Sequence, residues 1–190
     1  MKRYMTLIGM ILLCFTLLAC EEPKEVVSSE VQENTEVKDY SYEDTAILVK
    51  MDREEKSITF QNVETGLRYT LSYDGVTYFY NRYGTAISAE QVNCGLIADI
   101  TFDKDDKKLL SLNISSDYVT YTDIIFEEFI KNDARIEILG EEYKLDDFMV
   151  ITDGSKDLEK MELAKGDVLT VCVKDHIIYA IYLESGHGYL

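Results

Sequence analysis

Tryptophan is absent, there are two histidines and one proline, and 19 Lys and Arg face 36 Asp and Glu. Each shortage excludes something. A formal charge of −17 leaves no clustered basic surface of the kind that phosphate binding needs, so nucleic acid is excluded as a partner. The same charge repels anionic lipid headgroups and favours solubility at a crowded surface. A hydrolase needs a nucleophile oriented by a base, and neither a G-x-S-x-G elbow nor a similar motif is present. His176 lies in the tight turn "KDHII" and His187 lies between two glycines close to the end, so both read as turn or tail residues rather than catalytic ones. The four cysteines form no CxxC and no Cys/His cluster with zinc spacing. No apolar run reaches the roughly 20 residues of a spanning helix.

What is there begins at the N-terminus. Lys2 and Arg3 precede an almost unbroken apolar run, Met5 to Ala19, which stops at Cys20 and turns acidic at once. A basic start, a compact apolar region and a small residue before a cut describe a secretory signal. Leu17-Leu18-Ala19-Cys20 resembles the lipobox of bacterial lipoproteins. That resemblance implies a diacylglycerol on the Cys20 thiol and cleavage just before it. A plain signal peptide or an uncleaved anchor also accounts for the apolar run, but not for its ending on this motif. Each buried acyl CH₂ contributes about 0.8 kcal/mol, so two chains hold where one is marginal. The expected location is the outer face of the cytoplasmic membrane, within the cell envelope. Loss of residues 1–19 removes Lys2 and Arg3 and no acid, which takes the charge from −17 to −19.

Residues 20–44 carry nine acids against Lys24 and Lys38, with few large apolar side chains. Such a segment cannot bury enough surface to offset its chain entropy, and its charges repel one another. It is expected to be a disordered, extended tether. Beyond it, Cys94 and Cys172 sit in or beside apolar strand-like stretches. They read as two buried thiols, or as a pair in an oxidising space if their Cα atoms approach closely enough.

The rest is written in short strands. "AILVKM" and "SITF" flank the charged connection "DREEK". "LRYTLSY" alternates with period two, placing Leu67, Tyr69, Leu71 and Tyr73 on one face. Asp74-Gly75 marks a turn, and "VTYFY" is rich in β-formers. Ile87–Val92 suits one helical turn capped by Ser88. "GLIADITFD" and "LLSLNI" form a hairpin across "KDDKK". The second half repeats this order. "RIEIL" answers "SITF", and "GEEYKL" answers "TGLRYTL". Tyr69, Leu71 and Val76 recur as Tyr143, Leu145 and Val150, and Gly95 recurs as Gly166. "IADITFDKDDKKLLSLNI" answers "LTVCVKDHIIYAIYL". The first strand of the second copy must come from Tyr118–Lys131, which also suits a partly helical segment.

Two copies imply two modules. Short strands with one apolar face close most easily into a small barrel, which removes the sheet edges. The expected fold is mainly β: two tandem five-stranded β-barrel-like modules with short helical turns, over 45–117 and 118–190. The order of elements, with "TYFYN…AIS…VNCGLIADITFD…KLLSLNI" and "MELAKGDVLTVCVKDHIIYAIYL", is similar to small β-barrel repeats of Gram-positive, clostridial-type surface proteins. That resemblance implies a module beside wall-anchoring functions, without an assigned activity. "SGHGYL" is similar to a tail that leads, in some such lipoproteins, into a further β domain.

Few residues invite chemistry. "DKDDKKLLSLNI" starts like a calcium loop but has Lys108 and Ile114 where Gly and Glu are required, and reads as a hairpin turn. "TDGSKD" (Thr152–Asp157) gathers oxygen ligands for a weak cation site, although Asp-Gly favours a turn. No metal and no cofactor is implied. Among the 14 tyrosines, Tyr78, Tyr80 and Tyr83 form one group and Tyr118 and Tyr121 another. On an exposed sheet face they suit stacking on sugar rings or packing on a protein partner, and in a barrel interior they are core. The expected function is a non-catalytic, lipid-anchored envelope protein that displays two β modules for binding or structural roles, with a cell-wall polymer or surface protein as candidate partner. The alternative is an envelope enzyme or enzyme inhibitor with its site between the modules.

Overall fold

A computed structural model describes residues 41–130 and 134–186. The signal segment, Cys20, the tether up to residue 40 and His187 lie outside these residues. The chain is mainly β, with two β-sheet-rich modules, the first curled into a half-barrel. Among the described residues the first sheet has seven strands and the second six, rather than five each.

The first sheet runs in the order β3-β2-β1-β6-β7-β4-β5. Its strands are β1 (Ser41–Asp52), β2 (Ser57–Asn62), β3 (Arg68–Ser72), β4 (Tyr78–Tyr80), β5 (Ala86–Ile87), β6 (Ile97–Asp103) and β7 (Lys108–Ile114). β1 serves two neighbours. Ser41–Ile47 pair with β6, and Ala46–Asp52 pair with β2 across a bulge between Leu48 and Lys50. A bulge bends a strand and raises its twist, which lets β1 leave β6 while it stays paired with β2. The curl brings β3 to β7 at Ser72 and Lys108, in parallel. Ala46, Leu48, Ile58, Phe60, Leu71 and Leu112 fill the inside.

The second sheet has the order β8-β12-β13-β11-β10-β9. Its strands are β8 (Val119–Ile125), β9 (Phe129–Ile130), β10 (Arg135–Ile138), β11 (Glu141–Thr152), β12 (Val168–Lys174) and β13 (Ile177–Ser185). The segment expected to be partly helical is two strands, β8 and β9, because Phe126–Glu128 interrupts the pairing where the bulge interrupts β1. The correspondence extends to single hydrogen bonds. Gly95 N donates to Leu48 O at 2.8 Å, as Gly166 N donates to Phe126 O at 2.8 Å. Leu48 N donates to Leu96 O, as Phe126 N donates to Asp167 O. Ser72 N donates to Lys107 O at 2.9 Å, as Lys144 N donates to His176 O at 3.0 Å.

Each module carries one short 3-10 turn, Ala89–Gln91 and Lys160–Glu162. Ser88 occupies the expected cap position, and its N–H is held by Gln91 Oε1 at 3.0 Å. Glu159 N and Glu162 Oε2 repeat the contact at 2.6 Å. Two details differ from expectation. The tether was expected to reach Asp44, but β1 begins at Ser41, because Ser41–Asp44 continue the ladder with Ile100–Asp103. Leu67 precedes β3 and is exposed, whereas Tyr69, Leu71 and Tyr73 face or flank the core.

The sheets meet in a shared core. Ile47, Val49 and Ile97 from the outside of the first pack on Val150, Cys172 and Ala180 from the second, with Val63 and Tyr118 beside them. Polar contacts frame it. Thr152 Oγ1 lies 2.8 Å from Val49 O, Gln61 Nε2 donates to Phe148 O at 2.5 Å, and Arg68 pairs with Asp157. Among the described residues no helix is long and apolar enough to cross a membrane.

Candidate functional site

Strand alternation divides the first sheet into an inside and an outside. Ala46, Leu48, Phe79, Ala98, Ile100 and Leu112 point in. Their neighbours point out. Register then aligns the outward residues in two rows across four strands. Tyr78, Ser111, Thr101 and Glu43 form one row; Tyr80, Asn113, Asp99 and Thr45 form the next. Thr45 Oγ1 donates to Asp99 Oδ1 at 2.8 Å within the second row.

The tyrosine end is an aromatic platform. Tyr78 is 63 % exposed and Tyr80 is half-buried. Their ring centroids lie 6.4 Å apart, with planes inclined by only 17°. The polar end is concave. A cavity of about 560 Å³ is lined there by Glu43, Thr45, Asp99, Thr101, Ser111 and Asn113, together with the Asn62–Glu64 turn and Asp44. Among the described residues lining it there is no Lys or Arg. Asp44 closes the floor, where it accepts hydrogen bonds from Asn62 Nδ2 at 2.5 Å and from the Tyr69 hydroxyl. Burial and that carboxylate together push the Tyr69 phenol well above its ordinary range.

The counterpart of the first row in the second sheet has another fate. Val150, Ala180, Cys172 and Thr120 stand where Tyr78, Ser111, Thr101 and Glu43 stand in the first. Three of these four are in the shared core with the first module. That row is therefore buried in the second copy and open in the first, whereas the next row keeps polar and aromatic groups in the second copy too, as Thr152, Tyr182 and Thr170.

The remaining candidates fall elsewhere. Tyr83 is 84 % exposed in the Asn81–Thr85 turn, where Asn81 Oδ1 accepts from the N–H of Tyr83 and of Thr85. Tyr118 is buried at the shared core, edge-on to Tyr179, and burial pushes its phenol up to about 12. Tyr121 packs against Tyr143 in the second module. His176 is 70 % exposed, with Nδ1 3.9 Å from Glu141 Oε2 and its ring on Tyr143. It occupies the turn position of Lys107, and its carbonyl is clasped in the same way, so a structural role accounts for it. Cys94 and Cys172 are free and buried. Asp153 Oδ1 accepts from Ser155 N, Ser155 Oγ and Lys156 N, which makes "TDGSKD" a turn closed on its own donors. Asp103 Oδ1 does the same for Asp105 and Asp106.

The chain matches no protein-family model and no curated protein.

Proposed function

We propose that this is a non-catalytic, lipid-anchored protein of the cell envelope that binds a partner through the outer face of its first module. The Tyr78–Tyr80 platform beside an open polar cavity carries the reading. Exposed aromatic rings combine a large contact area with a polar tip, the usual make-up of a recognition surface. The lipid on Cys20 sets location, the acidic tether sets reach, and the modules present the face. Within each sheet, five strands, with β8 and β9 counted as one, close into a small barrel. Support comes from the circuit of pairings β1-β2-β3-β7-β6, which returns to β1, and from its counterpart through β8/β9, β10, β11, β13 and β12.

Two measurements test this. Cys20→Ala is expected to abolish fatty-acid labelling; persistent labelling would refute the anchor. The mature chain is expected to be captured by isolated cell-wall polymer, and Tyr78→Ala/Tyr80→Ala to weaken that capture. Equal capture of the double variant would remove the face from the mechanism.

A further inference from the structure

The open face also constrains what it binds. We propose that its occupant is an extended glycan chain without negative charge, lying across β4, β7, β6 and β1. This rests on the reading of the first module as a binding module.

Three observations lead there. The first is shape. Neighbouring strands lie about 4.8 Å apart, so two side-chain rows over four strands make a ribbon about 14 Å long. That length suits two or three pyranose rings in a linear polymer. The second is the order of chemistry along the ribbon. Tyr78 and Tyr80, nearly parallel, offer flat faces for the C–H side of a sugar ring at one end. Next come Ser111 and Asn113, then Thr101 and Asp99, then Glu43 and Thr45. Hydroxyls, an amide and carboxylates in succession match the dense mixed donors and acceptors of a sugar's hydroxyl edge. The third is charge. Among the described residues the cavity lining holds carboxylates and no basic residue, so an acidic polymer meets repulsion at every step. A protonated amine on the sugar gains instead, from the carboxylates and from the tyrosine faces.

The contrast with the second module sharpens the point. At the equivalent of the Tyr78–Ser111–Thr101 row it carries Val150, Ala180 and Cys172 under the shared core, while the equivalent of the next row is Thr152, Tyr182 and Thr170. Burial there selects small apolar side chains. In the first of these rows the first module keeps Tyr78, Ser111 and Thr101, where no packing within the described residues demands polar or aromatic groups.

The test is calorimetric titration of the mature chain in detergent with three β-1,4-linked hexasaccharides of the same ring configuration: N-acetylglucosamine (neutral), glucosamine (cationic) and glucuronate (anionic). The first two are expected to bind, the cationic one more tightly and with stronger salt dependence, and the anionic one not to bind. Tyr78→Ala and Tyr80→Ala should each weaken binding by about three- to tenfold, the range of one ring contact. Asn113→Ala should weaken it as well. Tyr42→Ala, on the opposite face of β1, should leave it unchanged. Anionic binding as tight as neutral, or binding indifferent to the Tyr78 and Tyr80 variants, overturns the proposal. If no hexasaccharide binds while wall polymer still captures the wild type better than the double variant, the glycan assignment fails and the binding face stands. If that capture is also unaffected, both fail.

Discussion

Gly95 sits so close to Tyr182 that a Cβ on it would stand 2.6 Å from the Tyr182 Cβ. The contact joins the two modules, and Gly95 also has φ +75°. Gly95→Ala therefore adds left-handed strain to a steric clash with a neighbouring backbone-proximal atom. It should destabilise the chain by about 2–4 kcal/mol. Gly84→Ala, at φ +72° with nothing within 4 Å, isolates the strain and should cost about 1 kcal/mol. Urea titration of both variants checks the difference. Equal losses would show that the Tyr182 contact relaxes freely.

Thr152 is fully buried, and its hydroxyl oxygen lies 2.8 Å from Val49 O and 2.9 Å from Lys156 O. Its one proton serves one carbonyl at a time, while the oxygen accepts from Gly154 N at 2.9 Å. Thr152→Val keeps the shape and removes the hydrogen bonds, stranding the Gly154 donor. The expected loss is about 1–3 kcal/mol, read as a lower urea midpoint at unchanged slope. Thr152→Ser should retain most of the stability, since it keeps the hydroxyl.

Much of this fold is legible in the sequence because its strands alternate and its turns are marked. "TGLRYTL" and "GEEYKL" announce β3 and the start of β11, and Gly95 and Gly166 announce equivalent backbone positions. The pairing of Tyr78 with Tyr80 is legible too, since residues two apart on a strand share a face, but Tyr83, grouped with them, lies in the Asn81–Thr85 turn. The polar half of the face is not legible. Asp99, Thr101, Ser111 and Asn113 look like the solvent side of any amphipathic strand. Only the order β4-β7-β6-β1, with its parallel β4–β7 pairing, brings them beside Tyr78 and Tyr80. That pairing is non-local and carries no turn signal. The early start of β1 escaped for a related reason: "SYED" has a tether's composition, and only its partner β6 makes it a strand.

Burial pushes the thiols of Cys94 and Cys172 from their ordinary 9.0 to about 11. Below pH 9 both folded and unfolded chains hold these protons. Between pH 9 and 11 the unfolded chain releases them first, so stability falls as pH rises through that window. The urea midpoint should decline above pH 9. The decline should be shallower for Cys172→Ala once its own cavity cost is measured at pH 7. A thiol reagent at pH 8 should label neither residue in native chain and both in urea; fast native labelling would contradict the burial.

Asp175 and His176 are the two central residues of the β12–β13 hairpin, at φ +51° and φ +58°. Two positive φ angles are what a type I′ turn requires, and Asn-Gly adopts them with least strain. Replacing Asp175-His176 by Asn-Gly should raise stability by roughly 1 kcal/mol, seen as a higher Tm. It also deletes the one histidine among the described residues. Binding to the hexasaccharides should be unchanged, because the turn belongs to the second module and the proposed face to the first. A lower Tm would mean that the imidazole ring on Tyr143 stabilises more than the turn strains. Loss of binding at normal stability would give His176 a role that its exposure and its equivalence to Lys107 argue against.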